Sequence, residues 1–118
     1  MTSVYTVAFS GTKFLMVRNP KRNGWEMPGG RIEKNEGVKD AAVREYMEEA
    51  GHEIEIVSIN EITDGCCVCA AVLGERTGGS EFASELFSEL PEELAFGRAE
   101  YDGVLEWARS VIEKMNAR

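Results

Sequence analysis

The sequence predicts an α/β fold in which a mixed β-sheet lies between helices, and three observations support this. Several short runs are rich in β-branched and aromatic residues, which is typical of strands. Two longer segments place apolar residues at helical spacing. Clusters of glycine, proline and asparagine separate these stretches. The order is ββαβββα with a short extra helix, and the 118 residues, without repeats or linkers, predict one domain over 1–118.

The first half of the sheet is predicted from two apolar runs and a short extended segment. Residues 4–9 are β-branched and aromatic and predict a strand, residues 14–18 predict a second one, and the short turn between them predicts a hairpin. Residues 25–27 are expected to be extended because a proline follows them. Gly29 and Gly30 then predict a turn in which the backbone can approach a ligand closely.

The second half predicts further strands and two more helices. Residues 66–73 form a near-continuous apolar run, which is typical of a central strand buried on both faces. The other predicted elements are a strand over 54–62, a turn at Asp64-Gly65, a loop over 74–79, an extended segment over 80–87, a short helix over 88–94 and a longer helix over 98–115.

The segment from Gly29 to His52 carries the chemistry and contains one predicted helix. Asn35 is its expected N-cap, and Gly51 stands where a helix ends in a left-handed residue. A helical projection places the apolar side chains of this helix on one face, where they can dock on a sheet. These side chains are Val43, Tyr46, Met47 and Ala50.

Glu45, Glu48 and Glu49 share the opposite face of this helix. Two carboxylates about 6 Å apart repel by roughly 2–3 kcal/mol at an effective dielectric near 20. No lysine or arginine follows four residues later to relieve the repulsion, and the helix dipole disfavours acids in this half. A divalent cation would reverse these penalties, since Mg²⁺ is held by carboxylates, water and phosphates. The alternative is a solvated acidic surface, and the pattern alone leaves both interpretations open.

The spacing of this segment matches a known signature at every fixed position. It resembles the Nudix box of the Nudix hydrolases, and only His52 departs, standing where the family usually has an aliphatic residue. The preceding Gly24-Trp25-Glu26-Met27-Pro28-Gly29 is similar to the family's lead-in. The fixed positions are Gly30, Glu36, Arg44, Glu45, Glu48, Glu49 and Gly51.

The resemblance implies the Nudix α/β/α sandwich and hydrolysis of a phosphoric anhydride bond in a nucleoside diphosphate linked to another group. It implies Mg²⁺ or Mn²⁺ as cofactor and a water molecule that attacks phosphorus. By position it assigns Glu45, Glu48, Glu49 and the Gly29 carbonyl as metal ligands. Arg44 is implied to orient a catalytic carboxylate.

Five further residues are weaker candidates for the site. Glu36, at the helix start, is expected to be mainly structural, with a lesser metal or water role. Glu81 and Glu85 are candidates for the extra ligand or base that Nudix proteins often recruit from a later loop. Arg18 and Arg31 are candidate substrate contacts, because basic residues concentrate in the first part of the chain and suit an anionic substrate.

The substrate is predicted by elimination within the resemblance. Members that act on ADP-ribose carry a proline shortly after the box, and dinucleoside polyphosphate hydrolases carry a tyrosine slightly further on, but residues 64–71 contain neither. A MutT-like nucleoside triphosphate pyrophosphohydrolase remains, with oxidised purine nucleotides as candidates. The alternatives are hydrolysis of another nucleoside diphosphate derivative and a nucleotide-binding regulator without turnover. Four aromatic residues could stack on a base, although each fits a core position better: Tyr5, Phe9, Trp25 and Phe96.

Composition limits the kinds of partner that the chain is expected to bind. The net charge of −8 disfavours a protein that coats nucleic acid. No apolar run approaches a membrane span and the N-terminus does not resemble a signal peptide, so a cytoplasmic protein with a small-molecule nucleotide substrate is expected. Cys66, Cys67 and Cys69 crowd on one predicted strand, which favours buried thiols over disulfides or a zinc site.

Overall fold

A computed structural model describes residues 2–63 and 65–117, without the side chain of Thr63. Asp64, and with it half of the predicted Asp64-Gly65 turn, lies outside the described residues. The elements are β1 (Ser3–Ser10), β2 (Lys13–Asn19), β3 (Gly24–Glu26), β4 (Gly29–Arg31), α1 (Val38–Ala50), β5 (His52–Thr63), β6 (Cys66–Arg76), β7 (Ala83–Phe87) and α2 (Arg98–Asn116).

The strands form one mixed sheet, as predicted. Its main path runs β3-β2-β1-β6-β5, with β4 paired to β1 and β7 paired to β2. Strands β1 and β6 are parallel, whereas the other pairs are antiparallel. Because β6 pairs with β1 from Ser3 to Phe9, the other edge of β1 is shared between β4 and β2. This division places the short strand β4 beside the first half of β1.

The two helices cover opposite faces of the sheet. Alternate residues of a strand point to opposite faces, so β1 and β2 contribute side chains to both cores. The core beneath α2 contains Val7, Phe9, Phe14, Met16, Val68 and Ala70, packed with Tyr101, Val104, Leu105, Ala108 and Ile112. The core beneath α1 contains Val4, Ala8, Leu15, Val17, Cys67, Cys69 and Ala71, packed with Ala41, Ala42, Tyr46 and Ala50. No helix of the described chain is both long and apolar enough to cross a membrane.

The predicted C-terminal end of α1 is confirmed, but its predicted start is wrong. Gly51 is left-handed with φ of 73°, and its N–H donates to the Met47 carbonyl at 2.9 Å. The N-cap is Gly37 rather than Asn35. Asn35 instead has a positive φ of 66° within a turn closed by the Glu36 N–H on the Glu33 carbonyl. The helix therefore begins only after this turn, at Val38.

The buried face of α1 also differs from the predicted one. Tyr46 and Ala50 are buried as expected, but Val43 is 41% exposed. The stripe against the sheet consists of Ala42, Tyr46 and Ala50, at i, i+4 and i+8. The alanines allow the helix to lie close to the sheet, which turns Val43 towards solvent.

Two predictions near the site, the turn at Gly29-Gly30 and the short helix over 88–94, are wrong for the same physical reason. Gly29 and Gly30 form part of a strand rather than a turn, because β1 supplies pairing partners for their backbone. The segment 88–94 forms no helix. Its backbone pairs with β3 instead: the Trp25 N–H donates to the Glu93 carbonyl at 2.8 Å, and the Ala95 N–H donates to the Trp25 carbonyl at 2.9 Å.

The predictions for the second half of the sheet are largely confirmed. Strand β6 is central and buried over most of residues 66–73, although it continues to Arg76 into the predicted loop over 74–79. The extended segment predicted over 80–87 contains β7, and the long predicted helix is α2.

Candidate active site

The end of α1 lies against β4, and the glycines of β4 make this close approach possible. The Gly29 N–H donates to Glu49 Oε1 at 3.2 Å. A Cβ placed on Gly30 would lie 2.5–2.6 Å from the carboxylate atoms of Glu45. Two helix carboxylates therefore contact the backbone of one strand, and a side chain at residue 30 would displace the Glu45 carboxylate.

Glu49 is the most perturbed acid of this group. Burial raises the pKa of Glu49 to about 8, against the lowering effect of its bond from the Gly29 N–H, and the negative charges of Glu45, Glu26 and Glu81 raise it further. A half-buried carboxyl on which three other negative charges act is costly to ionise. A nearby cation would relieve that cost.

Arg44 organises the remaining acids. Its Nε and Nη2 donate to the two carboxylate oxygens of Glu36 at 2.8 and 2.9 Å, a bidentate pair. Its Nη1 donates to Glu45 at 2.9 Å and lies 3.5 Å from Glu48. Its Nη2 also donates to the Arg31 carbonyl at 3.0 Å. One guanidinium therefore connects the turn before α1, the helix and strand β4.

These contacts shift the pKa values of the acids in different directions. The hydrogen bonds from Arg44 and from the Glu33 N–H lower the pKa of Glu36 to about 2, so Glu36 is fully ionised at neutral pH. Burial raises the pKa of Glu45, although Arg44 acts in the opposite direction. Glu48 is the exposed member, with 56% of its side chain accessible.

A cavity of about 260 Å³ opens beside this acidic group. Strand β4 forms the boundary between the two, since Gly29 and Gly30 line the cavity and also contact Glu49 and Glu45. Five other lining residues bring aromatic and charged groups to the cavity: Tyr5, Arg22, Glu26, Phe96 and Tyr101.

Comparison with known proteins decides the family. A model of the NUDIX domain matches residues 1–107. The chain belongs to the Nudix family. It is 46% identical over 39 residues to an uncharacterized Nudix hydrolase, YvcI, of Bacillus subtilis, a match that covers 33% of this chain and 25% of the relative. It is 40% identical over 40 residues to a putative 8-oxo-dGTP diphosphatase of the same organism, covering 34% of this chain and 27% of the relative.

A solved structure agrees over nearly the whole chain. An ADP-ribose pyrophosphatase from Streptococcus suis is 28% identical with a TM-score of 0.67, covering 91% of this chain and 90% of that chain. The curated relatives are much longer than the stretches they share with this chain, since the matches cover only 14–27% of their lengths.

The donor set of the Nudix box fits a hard divalent cation. All candidate side-chain donors are carboxylates, which is the ligand type that Mg²⁺ and Mn²⁺ prefer. Within residues 2–63 and 65–117, no three acidic, cysteine or histidine side chains already converge as a ligand set. The bonds from Arg44 to Glu45 and from Gly29 to Glu49 account for this, because each holds a carboxylate towards a protein donor. A metal would have to compete with these bonds, and it would relieve the crowding around Glu49.

The structure separates the two candidates for an extra acid. The Glu81 N–H donates to the Glu48 carbonyl at 2.9 Å, and the charge of Glu81 acts on Glu49. Glu85 lies in β7 opposite Met16 and is exposed. Glu81 is thus close to the Nudix acids, whereas Glu85 is tied to a different strand pair.

The two candidate arginines do not join the acidic group through their side chains. Arg18 donates to Asn23 Oδ1 at 3.3 Å, lies 3.6 Å from Glu93 and stacks over Trp25. Arg31 has an exposed side chain, and its carbonyl accepts from Arg44. Among the described residues, the contacts of Arg18 are with the loop around β3, so its predicted role in substrate binding gains no support.

The sequence analysis missed Glu26 and Arg22. Glu26 is only 6% exposed, and Arg22 Nη1 lies 3.0 Å from both of its carboxylate oxygens. Its charge also acts on Glu49. One signal was available: Glu26 is the only acidic residue among the first 31, and it stands in an otherwise apolar strand.

Proposed function

We propose that this chain is a divalent-metal-dependent nucleoside triphosphate pyrophosphohydrolase that releases a nucleoside monophosphate and pyrophosphate. The observation that carries the proposal is the position of Glu49, a half-buried acid with a raised pKa that accepts from the Gly29 N–H, on the strand that also lines the cavity. Perturbed acids beside a cavity are typical of active sites. Because β4 borders both the acids and the cavity, a ligand bound in the cavity could also reach the acids.

The chain's own residues have distinct roles in this proposal. Glu45, Glu48 and Glu49, with the Gly29 carbonyl, would hold Mg²⁺ or Mn²⁺. When bound, the metal would neutralise phosphate charge and lower the pKa of a coordinated water. Arg44 orients Glu45 and fixes Glu36, and Glu81 is the candidate for an additional ligand or base.

The choice of a triphosphate rests on size and on sequence. A cavity of about 260 Å³ is smaller than most pockets for drug-sized ligands and suits one nucleoside rather than two. The absence of the ADP-ribose and dinucleoside polyphosphate markers from residues 64–71 supports the same choice. The putative 8-oxo-dGTP diphosphatase among the relatives agrees with it, whereas the solved ADP-ribose pyrophosphatase favours the alternative.

A substrate panel tests the proposal directly. Purified protein is incubated with the common and oxidised nucleoside triphosphates, ADP-ribose and dinucleoside polyphosphates, with Mg²⁺, Mn²⁺ or excess chelator. We expect a triphosphate to give monophosphate plus pyrophosphate, and chelator to abolish turnover. Full activity in chelator would contradict the metal requirement. A kcat/KM for ADP-ribose at least tenfold above every triphosphate would contradict the substrate class.

The panel also tests the interpretation as a regulator. A nucleotide-binding protein without turnover would bind ligands but release no product from any member of the panel. Glu55→Gln provides a matched control for Glu49→Gln, since Glu55 is an exposed acid on β5. The proposal expects loss of turnover in Glu49→Gln and normal turnover in Glu55→Gln.

A further inference from the structure

The cavity beside β4 combines an aromatic wall with a buried carboxylate. Tyr5, Phe96 and Tyr101 form the wall, with ring centroids 5.7 Å apart for Tyr5 and Tyr101 and 6.3 Å apart for Phe96 and Tyr101. Phe96 remains 47% exposed. On the polar side the cavity contains Glu26, which is almost fully buried. An apolar wall with a few convergent polar groups is typical of a small-molecule site.

Glu26 is incompletely satisfied for a buried charge. A carboxylate can accept about four hydrogen bonds, and an arginine can bind both oxygens with two separate nitrogens. Here a single nitrogen, Arg22 Nη1, serves both oxygens. Half of the Arg22 side chain is exposed, so a donor that replaced it at Glu26 would release the guanidinium to water. A buried carboxylate with one loosely held partner is expensive unless another donor completes it.

Arg22 makes two contacts that a bound base would also make. Its guanidinium is a flat group with adjacent N–H donors, and it lies 5.2 Å from the centre of the Phe96 ring while bonding Glu26. A guanine ring is likewise flat, and its N1–H and N2–H₂ donors are adjacent on one edge. The same aromatic face and the same carboxylate would therefore suit either group.

We propose that Glu26 determines base specificity by accepting the N1–H and N2–H of a guanine-type base, which stacks on Phe96 in the place that the Arg22 guanidinium occupies. Adenine presents a lone pair at N1, which an ionised carboxylate repels, and hypoxanthine lacks the N2 donors. The Tyr101 hydroxyl can donate to the carbonyl next to N1 of the guanine ring. It accepts from the Met27 N–H at 3.0 Å and donates no hydrogen bond within the described residues, so its proton is available.

This inference rests on the proposed function for the orientation of the ligand, since the phosphates would extend past Gly29 and Gly30 to the acidic group. Its test uses binding as well as turnover, so that the two can fail separately. Calorimetry with GMP, IMP and AMP in Mg²⁺ measures the preference of the cavity without any chemical step. We expect GMP to bind at least tenfold more tightly than IMP or AMP, as expected for a hydrogen bond to a charged group.

Three variants test which residues determine the preference for GMP. Glu26→Gln should bring GMP and IMP within about threefold of each other, because one carboxylate oxygen becomes an NH₂ donor that cannot accept from the second N–H of guanine. Phe96→Leu should weaken GMP, IMP and AMP alike by removing the stacking surface. Arg22→Ala should bind GMP at least as tightly as the wild type, since it removes a competitor. Melting curves establish that each variant is folded, and Glu55→Gln is the control for loss of one charge.

The outcomes separate the claims. Equal affinity of the wild type for GMP and IMP, or an unchanged preference in Glu26→Gln, would overturn the specificity role. A tenfold loss of GMP affinity in Arg22→Ala would overturn the displacement of Arg22. If no triphosphate is hydrolysed but the GMP preference disappears in Glu26→Gln, the proposed function fails and this inference stands. If triphosphates are hydrolysed without base preference, the reverse holds.

Discussion

At the scale of single residues, Arg44 determines how the acidic face of α1 is arranged. No lysine or arginine stands four residues after these glutamates, and the repulsion predicted on that ground was too large. Arg44 precedes Glu48 by four residues, and its guanidinium contacts Glu36, Glu45 and Glu48 together. Glu49 is half-buried and accepts a hydrogen bond from a backbone N–H instead. The electrostatic strain is therefore concentrated at Glu49 rather than shared equally among the three acids.

Tyr46 gives a test of packing that does not involve the site chemistry. Its side chain is fully buried and its hydroxyl has no hydrogen-bond partner within the described chain. Tyr46→Phe removes an unsatisfied group, so the free energy of unfolding should stay the same or rise by up to about 1 kcal/mol. Urea denaturation measures this.

Tyr101→Phe is the matched control for Tyr46→Phe, because the Tyr101 hydroxyl accepts from the Met27 N–H. Its removal should cost about 1 kcal/mol or more by leaving that donor unpaired. A loss of similar size in Tyr46→Phe would show that the Tyr46 hydroxyl has a partner, such as a buried water.

The cysteines give a test that depends on pH. Burial raises the pKa of Cys69 to about 11 from an ordinary value near 9, so the folded protein keeps this thiol protonated where the unfolded chain loses the proton. The contribution of Cys69 to stability is therefore fully present below pH 9 and is lost as pH rises through 11. At pH 8, iodoacetamide should label the half-buried Cys66 well before Cys69.

Mass spectrometry of the labelled peptides checks the order of reaction, and three titratable thiols in denatured, unreduced protein would agree with the predicted absence of disulfides. Labelling of Cys69 as fast as in denatured protein would contradict its burial. One equivalent of zinc in the purified protein would contradict the prediction that these thiols bind no metal.

At the scale of elements, the sequence predicted those whose pattern is set locally. Helix α1 could be recognised from its periodicity and from Gly51, and β6 from its continuous apolar run. The start of α1 was misplaced because Asn35 stabilises a turn rather than a cap. Strand β4 and the bridge between Trp25 and Leu94 could not be predicted, because their hydrogen-bond partners are distant in the chain.

Gly29 and Gly30 test the role of β4, because an added methyl group would meet different neighbours at each. At Gly30 it would meet the flexible Glu45 carboxylate, whereas at Gly29 it would meet the backbone of Val4 and Tyr5. Gly30→Ala should lower kcat by roughly 10- to 100-fold by displacing Glu45, with little change in melting temperature. Gly29→Ala should lower the free energy of unfolding by roughly 1–3 kcal/mol.

Melting curves and turnover of the two variants, measured together, test both expectations. If Gly30→Ala is as active as the wild type, the position of Glu45 against β4 does not matter for function. If Gly29→Ala is as stable as the wild type, β4 is not held closely against β1.

At the scale of the whole molecule, the site results from the way the sheet divides its edge. Strand β1 pairs with both β4 and β2. Strand β4 therefore lies between the acids of α1 and a cavity that α2 helps to form. The Nudix box allowed the acids and Arg44 to be predicted, since they lie within one segment. The cavity could not be predicted, because its lining comes together only when β3, β4 and α2 pack, and without the cavity the isolated acid Glu26 could not be assigned to a site.

The central claim is that the acids of α1 form a metal site whose charge crowding only a cation relieves. The most direct test is melting curves of the wild type, Glu49→Gln and the control Glu55→Gln, each with and without Mg²⁺. Without metal and above pH 8, where Glu49 is ionised, Glu49→Gln should melt at or above the wild-type temperature, because an uncharged isostere replaces a half-buried acid repelled by its neighbours. Mg²⁺ at 100 times its Kd should stabilise the wild type and Glu55→Gln by about 2.7 kcal/mol, and Glu49→Gln much less. The claim is contradicted if Mg²⁺ stabilises all three proteins equally, or if Glu49→Gln melts well below the wild type without metal.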